Sequence, residues 1–99
     1  MNEFELRAQA MRLRYKGERR EIQSACFRTV GHLNTAIGQV TLPEAKEALR
    51  AEKERVKEVT RHSMVWHKIC YLQQVEILNE EQREYYRQNP SSRSRRSAV

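Results

Sequence analysis

The segment Gly38-Gln-Val-Thr-Leu-Pro-Glu44 separates two stretches of the chain that both have helical sequence patterns. Gly38 favours the end of a first helix, because glycine is enriched just past helix C-termini. Thr41 can accept a hydrogen bond from the first backbone N–H groups of a second helix, and Glu44 can complete a capping box three residues later. Pro43 suits the first turn of that helix, where the N–H groups have no intrahelical partner. The segment therefore predicts a tight turn between two antiparallel helices.

The composition favours long helices over sheets. The chain of 99 residues has only three glycines and two prolines, and 32% of its residues are charged against 38% hydrophobic. Glutamate, arginine, leucine and glutamine are plentiful, and these side chains lose little rotamer freedom in a helix. A chain of this length forms one domain at most. We therefore predict an all-α fold in which residues 1–89 form one long antiparallel hairpin, with helices at about 3–38 and 42–88.

The first helical stretch contains one glycine far from its ends. Apolar residues recur at steps of three and four from Phe4 through Tyr15 to Val40, which is the pattern of a packed helix face. Gly17 interrupts that pattern and leaves two interpretations open. It is either a C-terminal cap between two shorter helices or a glycine inside one continuous helix, where it costs ~1 kcal/mol relative to alanine.

The second helical stretch has the length and charge pattern of a solvated rod. No glycine or proline lies between Pro43 and Pro90, and a helix that ends near Arg87 would be on the order of 70 Å long. Residues 90–99 are rich in serine and arginine, which predicts a disordered basic tail. The first half of the rod carries acid–base pairs three residues apart, each worth ~0.2–0.5 kcal/mol: Glu47/Arg50, Glu52/Arg55, Glu54/Lys57 and Glu58/Arg61.

The stretch Met64–Leu78 is apolar almost all the way around the predicted helix, and a narrow apolar line leads into it through Leu49, Val56 and Val59. In a hairpin each helix has one neighbour, and each large apolar side chain left in water forgoes ~1.5–3 kcal/mol. We therefore predict that the hairpin dimerises into an antiparallel four-helix bundle or coiled coil. The alternative is a bundle folded back within one chain at Gly17. The residues expected to mediate self-association are Leu13, Trp66, Ile69, Cys70, Leu72 and Ile77.

The residues that could carry chemistry are few and scattered. His67 and Cys70 share a helical face and could supply half of a zinc site, but no CxxC, HExxH or clustered acid motif supplies the other half. Cys26 is expected to lie far from Cys70 in the hairpin. Nucleophilic catalysis would need a preformed cleft, and phosphate binding would need a glycine-rich loop. We predict a protein that is not an enzyme and uses no metal or cofactor.

The basic surplus lies toward the two ends of the chain. The formal net charge is +6, whereas residues 41–88 carry nine basic and nine acidic groups. A surplus of this kind favours nucleic acid or an acidic protein surface as a partner. The candidate contact residues are a basic segment with one tyrosine, together with the tail: Arg12, Arg14, Tyr15, Lys16, Arg19, Arg20, Arg93, Arg95 and Arg96.

Two functions follow from these patterns. The preferred hypothesis is a small protein-interaction module, an adaptor or inhibitor that binds a larger protein through its helical surface. The alternative is a nucleic-acid-binding accessory protein that uses the basic segment and the tail, with Tyr15 available for stacking. No run approaches the roughly 18 uncharged residues of a membrane span, and two cysteines without a secretory signal favour the cytoplasm. The size and the basic, helix-rich composition resemble small accessory proteins of phages and plasmids.

Overall fold

The computed structural model describes residues 2–90, which form two long helices and no strand. Helix α1 spans Glu3–Gln39 and helix α2 spans Pro43–Gln88. The two helices pack against each other as an antiparallel hairpin with principal extents of 74 × 18 × 13 Å. These observations confirm the all-α fold and the hairpin. The predicted tail from residue 91 onward lies outside the described residues, and so do its basic residues Arg93, Arg95 and Arg96.

Helix α1 runs through Gly17 without a break. No glycine among residues 2–90 has a positive φ, so Gly17 does not adopt the left-handed conformation of a helix cap. The interpretation of Gly17 as a cap between two shorter helices is therefore wrong. A bundle folded back within one chain at this position is excluded for the same reason.

The turn has the predicted location but a different cap. Leu42 is the N-cap of α2, with φ −72° and ψ 128°, and no side chain caps the helix by a hydrogen bond. The predicted capping box of Thr41 and Glu44 is wrong, because Thr41 lies one residue before the N-cap. Pro43 is the first residue of α2, where its missing N–H has no cost.

The end of the hairpin opposite the turn is held together by polar and aromatic contacts. The side chain of Asn2 caps α1 by accepting a hydrogen bond from the Glu5 backbone N–H at 2.8 Å. The Asn2 side-chain amide also donates to the Tyr86 hydroxyl at 3.2 Å. The ring of Phe4 packs 5.5 Å from that of Tyr85, measured between centroids. The first residues of α1 are thereby attached to the last turn of α2.

The line of residues at which the two helices meet, which we call the seam, follows a regular spacing. Its residues are half-buried, apart from one buried leucine, and they succeed each other at steps of four, four and three. On α1 they are Met11, Tyr15, Arg19, Ile22, Cys26, Val30, Leu33 and Ile37. On α2 they are Ala45, Leu49, Lys53, Val56, Thr60, Met64, His67, Tyr71, Val75, Leu78, Gln82 and Tyr86.

The spacing of the seam is an 11-residue repeat, which corresponds to about 3.67 residues per turn. The apolar line that the sequence suggests on α2 instead follows a 7-residue repeat, and the two lines separate after Val56. Val59 and Trp66 are exposed as a result, with 65% of Trp66 accessible to solvent. Val59 and Trp66 therefore do not lie in the contact between α1 and α2.

The hairpin has almost no enclosed core. Leu78, with 4% of its surface accessible, is the only buried hydrophobic residue in the part of the chain that the structure describes. Several seam positions hold polar or charged side chains, among them Arg19, Lys53, Thr60 and Gln82. Two single helices cannot surround each other's side chains, so most apolar residues of the hairpin stay in contact with solvent.

Candidate interaction surfaces

One side of the hairpin, which we call the paired flank, consists of the residues that precede each seam position by one, together with Arg7, which precedes Ala8 where the spacing of the seam continues at an exposed residue. Polar side chains of the two helices meet across it. Arg7 forms an ion pair with Glu81 at 2.7 Å, and Arg14 donates a hydrogen bond to the side-chain oxygen of Gln74 at 3.4 Å. These contacts establish that the residues before the seam lie on the same side of both helices.

The middle of the paired flank is an open, mostly apolar groove. Ala25 and Thr29 of α1 line it from one side, and Val59 and Ser63 of α2 line it from the other. All four residues precede a seam position by one, as the geometry of the paired flank requires.

The ion pairs of the paired flank are exposed and shift the pKa values of their members. A hydrogen bond from Arg55 lowers the pKa of Glu52. The hydrogen bond to Glu81 raises the pKa of the Arg7 guanidinium. Both arginines are therefore held in contacts with neighbouring carboxylates and are less available to an external anion.

A polar and aromatic layer crosses the seam at His67. The ring of Tyr15 stacks on the rings of His67 and Tyr71, with centroid distances of 4.9 Å and 4.2 Å. Arg19 donates a hydrogen bond to the Tyr15 hydroxyl at 3.0 Å. The Nε2 of His67 lies 3.0 Å from a carboxylate oxygen of Glu18, while its buried Nδ1 has no hydrogen-bond partner among the described residues. The layer joins the two helices through contacts that the apolar pattern of the sequence does not indicate.

The histidines and cysteines do not converge. Among residues 2–90 no three histidine, cysteine, aspartate or glutamate side chains lie close enough to hold a metal ion. Cys26 is a free thiol beside Val56 and Val59 in the middle of the hairpin. Cys70 is also free and half-buried, one turn from His67 on α2.

The opposite side of the hairpin, which we call the basic flank, consists of the residues that follow each seam position by one. Because the residues before the seam meet on one side of the antiparallel pair, the residues after it share the other side. On α1 this geometry aligns three cations, an amide and an aromatic ring: Arg12, Lys16, Arg20, Gln23 and Phe27.

Helix α2 contributes a longer row of cations to the basic flank. Lys46, Lys57 and Lys68 recur at intervals of eleven residues, and Arg50 and Arg61 recur at the same interval. Eleven residues of α-helix span about 16 Å. Since this interval equals the repeat of the seam, the row stays beside the seam along most of the helix.

The two flanks differ in how their cations are neutralised. On the paired flank Arg7, Arg14 and Arg55 each contact a carboxylate. On the basic flank Lys57, Arg61, Arg83 and Arg87 have such contacts, with Glu54, Glu58, Glu80 and Glu84. The other six cations of the basic flank have no carboxylate within 4 Å in the described part of the chain: Arg12, Lys16, Arg20, Lys46, Arg50 and Lys68.

Phe27 lies at an open groove on the basic flank. Its side chain is 84% accessible, the highest value among the large hydrophobic residues that the structure describes as exposed. The groove beside it has a volume of about 540 Å³. Arg20, Gln23 and Thr60 are among the residues that line this groove.

The predicted contact segment at residues 12–20 does not form one continuous surface. Arg12, Lys16 and Arg20 share the basic flank, whereas Arg14 belongs to the paired flank and Arg19 to the seam. Tyr15 is half-buried in the seam, and its ring stacks within the hairpin. The Tyr15 ring is therefore already engaged within the hairpin, and its contact with a nucleic acid base stays a prediction.

The predicted self-association residues occupy different sides of the molecule. Leu13 lies on α1 between the seam residues Met11 and Tyr15 and therefore points away from α2. Cys70 is half-buried on the paired flank. The remaining predicted residues are exposed on α2: Trp66 and Ile77 on the paired flank, Leu72 on the opposite side after Tyr71, and Ile69 between the two sides.

A second 11-residue repeat runs along α2 at the outer edge of the basic flank, and most of its members also follow a seam residue by one. We call it the outer line, and its residues follow steps of three and four. Its centre is apolar and its two ends carry charges of both signs. Its members are Glu54, Glu58, Arg61, Val65, Ile69, Leu72, Glu76, Glu80, Arg83 and Arg87.

Comparisons with known proteins do not assign a function to these surfaces. No family model, no curated protein and no solved structure matches this chain. Within residues 2–90 neither helix offers the continuous apolar length that a membrane crossing requires.

Proposed function

We propose that this protein is a non-enzymatic protein-interaction module that works as a homodimer, as an adaptor or inhibitor of a larger protein in the cytoplasm. The observation that carries the proposal is the outer line of α2. Its centre is apolar and exposed, and its charges are complementary to those of a second, antiparallel copy.

The apolar centre of the outer line supplies the driving force for association. Val65, Ile69 and Leu72 are 59%, 41% and 52% accessible. Burial of each of these side chains is worth up to ~1.5–3 kcal/mol. Helix α1 packs on the seam of α2, so it leaves the outer line for another molecule. A second copy of the chain supplies the same three apolar side chains, and Ile69 and Leu72 are close enough to the proposed twofold axis to pack on the same pair in the partner subunit.

The charges of the outer line select an antiparallel arrangement. With the twofold axis between residues 70 and 71, Ile69 faces Leu72 of the partner subunit. Glu58 then faces the partner's Arg83, and Arg61 faces the partner's Glu80. Glu54 faces the partner's Arg87 in the same register. A parallel dimer in register would instead place like charges opposite each other at each of these charged positions. The antiparallel register has one mismatch, because Val65 faces the partner's Glu76.

The charged pairs determine the register of the dimer and contribute little to its affinity. Exposed ion pairs contribute only ~0.2–1 kcal/mol each, whereas like charges in contact disfavour the wrong arrangement. The apolar centre and the charged ends therefore have separate roles, as the core and edge positions of coiled coils do. The expected product is an antiparallel four-helix bundle in which the two α2 helices are central.

Two further features support a protein that acts by contact. The grooves on both flanks are open troughs, unlike the enclosed clefts that bind small substrates. Cys26 and Cys70 are free thiols in different parts of the hairpin, which suits a reducing cytoplasm.

Sedimentation equilibrium of charge-reversed variants tests the proposed dimer. The native chain should sediment at about twice its mass of 11.8 kDa at micromolar concentration. Substituting Arg61→Glu and Arg83→Glu together places like charges opposite each other at four positions of the dimer and should give monomers. Substituting Glu58→Arg and Glu80→Arg together should do the same. An equimolar mixture of the two variants should restore the dimer mass, because every pair is again complementary.

The matched control reverses two charges elsewhere. Arg12→Glu with Lys16→Glu on α1 should leave the dimer mass unchanged, because neither residue belongs to the outer line. A monomeric native chain would contradict the proposal. Variants that stay dimeric alone, or stay monomeric when mixed, would contradict the register.

A further inference from the structure

The basic flank presents positive charge in two rows that follow each other along the hairpin, and six of its cations have no carboxylate partner among the described residues. From Lys46 to Lys68 the row on α2 extends over 22 residues, or about 33 Å of helix. The row on α1 places Arg12, Lys16 and Arg20 at steps of one helical turn on the same side of the hairpin. An extended surface of this kind fits a linear polymer with a negative charge at every repeat.

Positive charge is concentrated on the basic flank although α2, which supplies one of its two rows, is neutral overall. Glu52 and Glu81 lie on the paired flank, where they contact arginines. Glu58 and Glu80 lie on the outer line and do not follow a seam residue, whereas Glu54 and Glu76 do lie on the basic flank. A polyanion on the basic flank therefore does not meet most of the carboxylates that balance the charge of α2.

The exposed ring of Phe27 adds a second type of contact. It follows Arg20 by seven residues on the basic flank and lies at the groove that Arg20, Gln23 and Thr60 line. Single-stranded nucleic acids bind to grooves that combine cations for the phosphates with aromatic rings on which bases stack. In a duplex the bases are already stacked on each other, so an exposed phenyl ring of this kind suits an unpaired strand.

We infer that the basic flank binds single-stranded nucleic acid along its backbone, with a base stacked on Phe27. The cations contact phosphates without reading the sequence, so binding is sensitive to salt and tolerant of sequence. This inference stands on the basic flank alone and does not depend on the proposed dimer.

Fluorescence anisotropy with a labelled 20-nucleotide oligothymidylate tests the inference on the full chain. The variant Arg12→Gln, Lys16→Gln, Arg20→Gln should bind at least about tenfold more weakly at 100 mM salt, and its logarithmic salt slope should fall by about 2, because three phosphate contacts are lost. The variant Lys46→Gln, Arg50→Gln, Lys68→Gln should show the same losses. Phe27→Ala should weaken binding about tenfold and leave the salt slope unchanged.

The matched control removes the same charge from the other side. The variant Arg7→Gln, Arg14→Gln, Arg55→Gln should change affinity by less than about threefold, because those arginines already contact carboxylates. Circular dichroism of each variant should show native helicity.

Three results would overturn the inference. The first is no binding at 50 mM salt, and the second is an equal loss in the control and the two basic-flank variants. The third is competition by poly-glutamate as effective as that by unlabelled oligothymidylate at equal charge, which would assign the flank to an acidic protein. A chain that binds the oligonucleotide as a monomer would refute the dimer and leave this inference intact.

Discussion

At the scale of single residues, Leu78 has the environment of a core residue within the described hairpin. It is buried in the seam, whereas the other apolar seam residues are half-exposed. We expect Leu78→Ala to lower the free energy of unfolding by about 2–5 kcal/mol, because it removes buried methyl groups and leaves a cavity. Urea denaturation followed by circular dichroism measures this loss.

The control for that substitution is the same chemical change at an exposed site. Leu42 is 65% accessible in the turn, so Leu42→Ala should cost much less than Leu78→Ala. Equal effects of the two substitutions would mean that the packing of Leu78 contributes little to stability.

Trp66 shows what the sequence alone could not determine at this scale. An isolated tryptophan in an apolar stretch is a reasonable candidate for a core anchor. In the structure His67, one residue later, occupies the seam and stacks on Tyr15. Whether Trp66 or His67 faces α1 depends on the rotation of α2 about its axis. Polar residues of the seam contribute to that rotation.

At the scale of the helices, α2 begins without the side-chain cap that its sequence suggests. Leu42 occupies the N-cap position and offers no oxygen to the free N–H groups of the first turn. We expect Leu42→Asp to raise the free energy of unfolding by about 1 kcal/mol, since aspartate accepts such a hydrogen bond and favours the helix dipole. The urea midpoint of the variant measures the gain.

A neighbouring substitution separates capping from a general effect of charge. Thr41→Asp adds the same charge one residue before the N-cap, where it should stabilise the chain much less. If both aspartates stabilise the chain equally, the helix starts one residue earlier than the structure indicates.

The existence of the two helices could be predicted from the sequence, while their relative rotation could not. The turn at residues 38–44 and the lack of later helix breakers indicate the hairpin directly. The 11-residue repeat of the seam passes through Arg19, Lys53 and Gln82, which an apolar pattern ignores. Because polar residues occupy part of the seam, the apolar pattern does not show how each helix is rotated about its axis. It therefore does not show which residues lie on each surface.

At the scale of the whole molecule, the rotation of each helix about its axis determines which residues are exposed together for binding. The basic residues Arg12, Lys16 and Arg20 were candidates from the sequence, but their alignment with Lys46 and Lys68 follows only from the geometry of the seam. The outer line likewise becomes visible once the surface of α2 that α1 leaves uncovered is known. On a thin hairpin the surfaces that remain exposed carry the function, because almost nothing is enclosed.

The distance between two spin labels tests the antiparallel dimer most directly. Ala51 is a small, exposed residue on α2, and Ala51→Cys can be labelled after Cys26→Ser and Cys70→Ser remove the native thiols. With the twofold axis between residues 70 and 71, the two labels should lie about 60 Å apart along the helices. Double electron–electron resonance at micromolar concentration should show that distance. A distance below about 20 Å would indicate a parallel dimer, since packed helix axes lie 8–10 Å apart. The absence of dipolar coupling would indicate a monomer, and either result would contradict the proposed assembly.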